Sequence, residues 1–195
     1  MEPEVAGLAR PRWGHFDLGT GYHGDLWLDL DAMFLRPALL RPHIRGLADR
    51  LREYRADAVC GPMEGGAFLA LAVADLLNVA FLPAYRCPAT PSAGPGEYRL
   101  PGVPDGIGGW RVAIVDDAIN AGTAIRACFR ELRRRGAVPV AVATLLSLGQ
   151  AGQMAETELS LPFHAAAEIT SHAWPAGQCP LCADGVAFTS PSHDR

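Results

Sequence analysis

Apolar and polar positions follow two periods along this chain. Near the amino terminus Leu26, Leu28 and Leu30 alternate with Trp27, Asp29 and Asp31, which predicts a short strand inside an otherwise polar, glycine-rich opening over residues 1–36. From Pro37 the pattern changes: Leu40, Ile44, Leu47 and Leu51 recur at spacings of four, three and four, one face of a helix. Pro37 suits a first helical position, whereas Pro42 must lie in the first turn or kink the helix. A rhythm of short apolar run, glycine-bearing turn and helix then repeats. Residues 56–60 form a predicted strand, GPMEGG its turn, 67–77 an apolar helix and 79–85 the next strand. Residues 86–110 hold many Pro and Gly, lack periodicity, and are too long for a passive connector. A strand over 111–115, the turn DDAINAGT, a helix over 124–135 stopped by Gly136, and a strand over 138–146 follow. From Gln150 the chain reads as irregular, and 189–195 as a polar, unpinned ending.

Strands alternating with crossover helices imply an α/β fold with a parallel sheet, its ligands at the strands' carboxyl ends. With no repeat and no linker, the chain reads as one domain over 1–195: an N-terminal hood (1–36), a core (37–149) and a C-terminal extension (150–195). Hydrophobic residues make up 49% and charged residues 19%, which suits a packed core and excludes a disordered chain. A net charge of −4 offers no global positive field to a nucleic-acid backbone. All 17 Lys and Arg positions are Arg, so no lysine Schiff base, general acid or phosphate clamp exists here. No run approaches the ~20 apolar residues that span a bilayer, and the acidic, proline-broken start lacks a signal peptide's apolar segment. Five cysteines, an odd number, fit a reducing compartment, so a cytoplasmic protein without membrane or nucleic-acid partners is expected.

The most informative stretch is VAIVDDAINAGT, residues 112–123. A buried strand delivers Asp116 and Asp117, and a small-residue turn then opens a helix. Backbone N–H groups of Asn120, Ala121, Gly122, Thr123 and Ala124 would converge there on an anion, aided by the helix dipole and the Thr123 hydroxyl. The two carboxylates lie where a sugar's vicinal hydroxyls would sit if that anion were a 5-phosphate, and carboxylates accept well from paired hydroxyls. The turn is suited to a phosphorylated ribose.

This segment resembles the 5-phosphoribosyl-1-pyrophosphate (PRPP) motif of type I phosphoribosyltransferases: apolar strand, double Asp, two apolar positions, and an x-x-G-T phosphate loop in register. DAVCGPMEGGAFLA, residues 57–70, resembles the family's diphosphate loop. That assigns diphosphate binding to Met63, Glu64, Gly65 and Gly66, the glycines letting backbone N–H groups approach. The opening GHFDLGTGYHGDLWLDLD and the ending WPAGQCPLCADGVAF are similar to segments of the orotate phosphoribosyltransferase branch, so the resemblance covers about residues 14–188. It implies the type I fold, with a mostly parallel sheet flanked by helices. It also implies phosphoribosyl transfer from PRPP to a nitrogenous base, Mg²⁺ carried mainly by PRPP with Asp116 and Asp117 as possible ligands, and a homodimer. Asp116, Asp117 and Arg86 become the catalytic candidates, Arg86 also touching diphosphate, as a donor into the neighbour's site. The 86–109 loop would close over the site.

The departures bear on the acceptor. After Arg86 the loop CPATPSAGPG has neither the lysines nor the histidine of the family. Gly19 occupies a base-binding position where part of the family has an orotate-contacting lysine, and Asn120 stands where a threonine can touch the base. SLGQAGQM, following the strand over 138–146, lacks the usual arginine. Arg99 could compensate as a second clamp or be a solvated loop charge. Orotate is the leading acceptor; the alternatives are a less anionic acceptor or a non-catalytic PRPP-binding regulator.

Weaker signals remain. Cys179 and Cys182 form a lone C-P-L-C, two zinc ligands of the four required, which His172 or a partner subunit's pair could complete; a buried structural turn is the plainer reading. Cys60 and Cys128 read as core. Arg133, Arg134 and Arg135 read as a solvated helix end. His15 and His23 fall in the segment expected over the base, with no partner evident from sequence.

Overall fold

Two sheets organise the chain. The computed structural model describes residues 4–19, 21–88, 96–103 and 106–190. In order these form α1 (Val5–Leu8), β1 (Arg12–Asp17), β2 (Tyr22–Trp27), α2 (Leu30–Phe34), α3 (Pro37–Leu51), β3 (Ala58–Pro62), α4 (Ala67–Leu77), β4 (Ala80–Arg86), β5 (Tyr98–Arg99) and β6 (Arg111–Ile119). There follow α5 (Thr123–Arg134), β7 (Val138–Leu148), α6 (Ala151–Glu158), β8 (Phe163–Ile169), β9 (Ala173–Pro175) and α7 (Pro180–Ala183). The larger sheet runs β5-β4-β3-β6-β7-β8. Its strands are parallel except β5, which is antiparallel to β4 at the edge. The smaller sheet, β1-β2-β9, is antiparallel and joins the two ends of the chain.

The central strands are apolar on both faces because helices cover both. On β6, Val112 and Ile114 pack with Ile125, Cys128 and Leu132 of α5. Ala113 and Val115, pointing the other way, pack with Leu69 and Val73 of α4 and Leu40 and Leu47 of α3. Cys60 and Cys128 are core residues, as expected.

Several local expectations are corrected. The alternation at 26–31 covers the end of β2 and the start of α2, where Asp29 Oδ1 accepts from the Ala32 N–H at 3.2 Å as an N-cap. α3 continues through Pro42, beyond its first turn, to Leu51. The region after Gln150 is ordered rather than irregular. β8 reads FHAAAEI, too alanine-rich to signal a strand, and is fixed by pairing with β7. Within 86–110, Tyr98, Leu100 and Ile107 are buried, an anchor too sparse to show periodicity. The stretch expected to close over the site includes 89–95 and 104–105, which lie outside the described residues. Of the polar ending, Thr189 donates its N–H to the His15 carbonyl at 2.6 Å, and 191–195 lie outside the described residues.

The arginines ending α5 are more than a solvated terminus. Glu131 is buried and takes Arg134 and Arg135 on its two oxygens at 2.7–3.0 Å, with Arg99 at 3.6 Å. Arg135 also donates to the carbonyls of Leu100 and Val103, fastening the stretch that returns to the sheet. Burial pushes the Glu131 carboxyl up, but hydrogen bonds from Arg134 and Arg135 outweigh it and hold the group below its usual range. A lowered folded pKa stabilises above the ordinary value of 4.5, and the contribution is lost as pH falls through the lowered value. Glu131→Gln is therefore expected to cost ~2 kcal/mol at pH 7. In denaturant titrations the deficit should shrink below pH 4.5 as the parent's carboxyl protonates.

Candidate functional site

The parallel sheet brings three strand ends to one edge: β3 ends at Pro62, β6 at Ile119 and β7 at Leu148. The turn after β3 lies directly on the acidic pair of β6. A Cβ at Gly66 would stand 2.6 Å from Asp116 Cα and 2.7 Å from the Val115 carbonyl oxygen. Gly65, at φ +149°, would bring a Cβ to 3.0 Å from Asp117 Oδ1. Side chains at either position would prise the two loops apart.

Asp116 and Asp117 are only 7% and 6% exposed. Asp116 Oδ1 accepts the Asp117 N–H at 3.0 Å, and the Gly66 N–H also points to this carboxyl. Asp117 Oδ1 accepts the Ala118 N–H at 2.7 Å. Burial pushes both carboxyls above their usual range, and for Asp116 the neighbouring Asp117 charge adds to the shift. The pair is thus charged only at a cost, one that hydroxyl donors, a developing cation or a divalent ion would offset. As hard oxygen donors they fit Mg²⁺.

Beyond β6, Asp116, Asn120, Ala121, Gly122, Thr123 and Ala124 surround a cavity of ≈ 200 Å³ at the start of α5. Gly122 takes φ +71°, and a side chain there would collide with Met154 of α6. Arg126, unnoticed in the sequence, braces the loop: Nη1 donates to the Ala121 carbonyl while Nε and Nη2 form a bidentate pair with Glu158 at 2.7 and 2.8 Å. An i, i+5 reach onto a loop carbonyl leaves no periodic signal.

Arg86 meets the turn after β3: Nε lies 2.8 Å from Glu64 Oε2, with the guanidinium over the Tyr98 ring. Met63, next to Glu64 in the chain, is exposed. Arg86 therefore rests on its own chain's Glu64, both half-exposed. Arg99 is elsewhere, held by Glu97 at 2.9 Å and by Glu131.

A larger cleft of ≈ 710 Å³ opens beside the loop at 120–124, lined by Leu18, Tyr22, Asn120, Gln150, His172 and Trp174 among others. Leu18 and Tyr22 line it, whereas Gly19 forms the β1–β2 turn between them at φ +73°, its N–H bonded to Asp17. His172 is stacked on Trp174 and bonded to Asp25 through Nδ1 at 2.8 Å, well placed on the cleft wall and not at the cysteine pair. No arginine is among the described residues that line this cleft. A concavity of similar volume at the amino-terminal edge, lined by Asp57, Asn78 and Trp110, lies opposite the strand ends where parallel sheets bind ligands.

No family model matches the chain. It is similar to the orotate phosphoribosyltransferase of Caldanaerobacter subterraneus subsp. tengcongensis, 27% identical over 185 residues, covering 93% of this chain and 90% of that protein. The orotate phosphoribosyltransferase of Carboxydothermus hydrogenoformans is 28% identical over 188 residues, covering 93% and 91%. Among solved structures, orotate phosphoribosyltransferase from Aeropyrum pernix superposes with TM-score 0.69 at 21% identity, covering 84% of this chain and 89% of that one. Adenine phosphoribosyltransferase from Thermoanaerobacter pseudethanolicus gives 0.65 at 18%, covering 85% and 98%. The chain has the type I phosphoribosyltransferase fold. In sequence it resembles orotate phosphoribosyltransferases along nearly its whole length.

The raised pKa of the acidic pair has a signed consequence. The folded protein takes up protons at higher pH than the unfolded chain. Stability from these groups is therefore full below the ordinary value of 3.8 and is lost as pH rises through the raised values. In magnesium-free buffer, Asp116→Asn is expected to match or exceed the parent's stability at pH 7, the difference narrowing toward pH 4. A large loss at pH 7 by chemical denaturation would overturn this account.

Proposed function

We propose that this protein transfers the 5-phosphoribosyl group of PRPP to a ring nitrogen of a nitrogenous base, releasing diphosphate, with orotate the leading acceptor. The observation that carries this reading is the buried Asp116–Asp117 pair wedged between the Gly65–Gly66 turn and the loop at 120–124. Three adjacent features thus suit the diphosphate, the ribose and the 5-phosphate of one ligand.

The base nitrogen attacks the anomeric carbon as the bond to diphosphate oxygen breaks, and positive charge builds on the ribose. Asp116 and Asp117 accept from the ribose hydroxyls and favour that charge. Backbone N–H groups at 120–124 hold the 5-phosphate, with Arg126 keeping the loop in shape. The turn at 63–66 and Arg86, released from Glu64, hold the leaving diphosphate. Mg²⁺ bound with PRPP would supply charge neutralisation on the diphosphate, with Asp116 and Asp117 as its protein-side oxygen donors. Asp117→Asn is expected to lower kcat/KM by about 10²–10³-fold in a diphosphate-release assay. Unchanged turnover in an Asp116→Asn/Asp117→Asn double variant would refute the assignment.

The cleft favours a second reading of the acceptor. Its polar lining is Tyr22, Asn120, Thr123, Gln150, Thr170, Ser171 and His172, and among the described residues it has no arginine or lysine for an anionic pyrimidine to engage. Losing one charge-assisted hydrogen bond costs ~1.5–3 kcal/mol, about 10–150-fold in affinity. Orotate should show an elevated KM, or a less anionic base should be preferred in a panel assay; a low-micromolar KM for orotate would count against this reading.

A homodimer is also proposed. Phe68 and Leu71, one turn apart on α4 just after the turn at 63–66, are 70% and 53% exposed, and Phe34, next to the exposed Leu35, packs on the Phe68 ring, an apolar surface suited to a second copy. Light scattering should give a dimer for the parent and a monomer for Phe68→Glu/Leu71→Glu.

A further inference from the structure

The two cysteines whose ligand set was incomplete in the sequence are completed by the opposite end of the chain. His15 comes from β1, His23 from β2, Cys179 from the turn before α7 and Cys182 from α7 itself. His15 Nε2 lies 3.5 Å from Cys179 Sγ and 3.6 Å from Cys182 Sγ, and His23 Nδ1 lies 3.2 Å from Cys182 Sγ. All four donor atoms fall within 4.8 Å of one another. Zinc–sulfur bonds of ~2.3 Å and zinc–nitrogen bonds of ~2.0–2.1 Å give a tetrahedron whose N···S edges are roughly 3.5 Å.

The surroundings are those of a built site. His15 Nδ1 is 2.7 Å from the Val186 carbonyl oxygen. A carbonyl only accepts, so Nδ1 carries the hydrogen and the Nε2 lone pair faces the sulfurs, the outer-sphere arrangement that orients metal-bound histidines. His15 and Cys179 are buried, and the Phe188 ring packs against both imidazoles at 4.2 and 4.8 Å. Both cysteines are free thiols. Cys182 is exposed and leaves an entry path.

We propose that His15, His23, Cys179 and Cys182 bind one structural Zn²⁺ that staples the β1–β2 hairpin to the carboxyl-terminal segment. Two thiolates and two imidazoles in a closed tetrahedron suit zinc above harder or redox-active ions, and four protein ligands leave no position for substrate. The hairpin carries Leu18 and Tyr22, and β9, just before Cys179, carries Trp174. The metal therefore secures one wall of the acceptor cleft without touching the acidic pair.

The test uses the full chain purified in reducing buffer without chelator, with zinc measured by plasma mass spectrometry. About one zinc per chain is expected in the parent and in Cys87→Ser, and a loss of most of it in Cys182→Ser and His23→Ala. Replacing zinc by Co²⁺ should give thiolate charge-transfer and tetrahedral d–d bands in the parent, absent in Cys182→Ser. A strong chelator should lower the parent's melting temperature and leave that of Cys182→Ser unmoved. No metal retained after zinc loading and buffer exchange, equal zinc in Cys182→Ser, or a Cys179–Cys182 disulfide under reducing conditions would each overturn the proposal. Should a variant fail to fold, the cobalt spectrum of the parent decides alone. None of these readouts depends on turnover, so failure here leaves the transferase reading standing, and the reverse.

Discussion

The approach of the β3–α4 turn to the end of β6 governs the rest of the molecule. Gly66 sits against Asp116 and Val115 with no room for a side chain, and that closeness puts an N–H on the Asp116 carboxyl. It also removes water from two adjacent acids, which is why both are hard to ionise. The parallel order β3-β6-β7 makes it possible, since only parallel neighbours deliver their carboxyl ends to a common edge. Packing of α4 and α5 on opposite faces then fixes where each loop begins.

The core was legible because its elements repeat strongly. The helix at 67–77 and the strands at 56–60 and 111–115 announce themselves through short, dominantly apolar runs beside glycine-bearing turns. The acidic pair and the x-G-T turn were legible for the same reason: their chemistry lies within a dozen consecutive residues. What stayed hidden was non-local. β8 is an alanine-rich strand defined by its neighbour, and the anchoring of Leu100 by Arg135 crosses 35 positions. Arg99 has the right charge to serve a diphosphate, but Glu97, two positions before it, and the buried Glu131, 32 positions after it, hold it elsewhere.

His15 and His23 illustrate the same limit. In sequence each is an isolated imidazole without a partner, and Cys179 and Cys182 are a pair without a complement. Pairing of β2 with β9 joins them across more than 150 positions, a relation that neither period nor spacing encodes. Locally the cysteine turn was readable; its counterpart was not.

The small sheet also orders events in time. β1 and β2 are synthesised well before their third strand, β9, and before Thr189, whose N–H bonds the His15 carbonyl. The core can assemble from largely sequential elements, whereas the cleft wall carrying Leu18 and Trp174 waits for β9. Contacts of such long separation form slowly. A chain that stops before β9 would therefore possess the acidic pair and its flanking loops while lacking one wall of the neighbouring cleft.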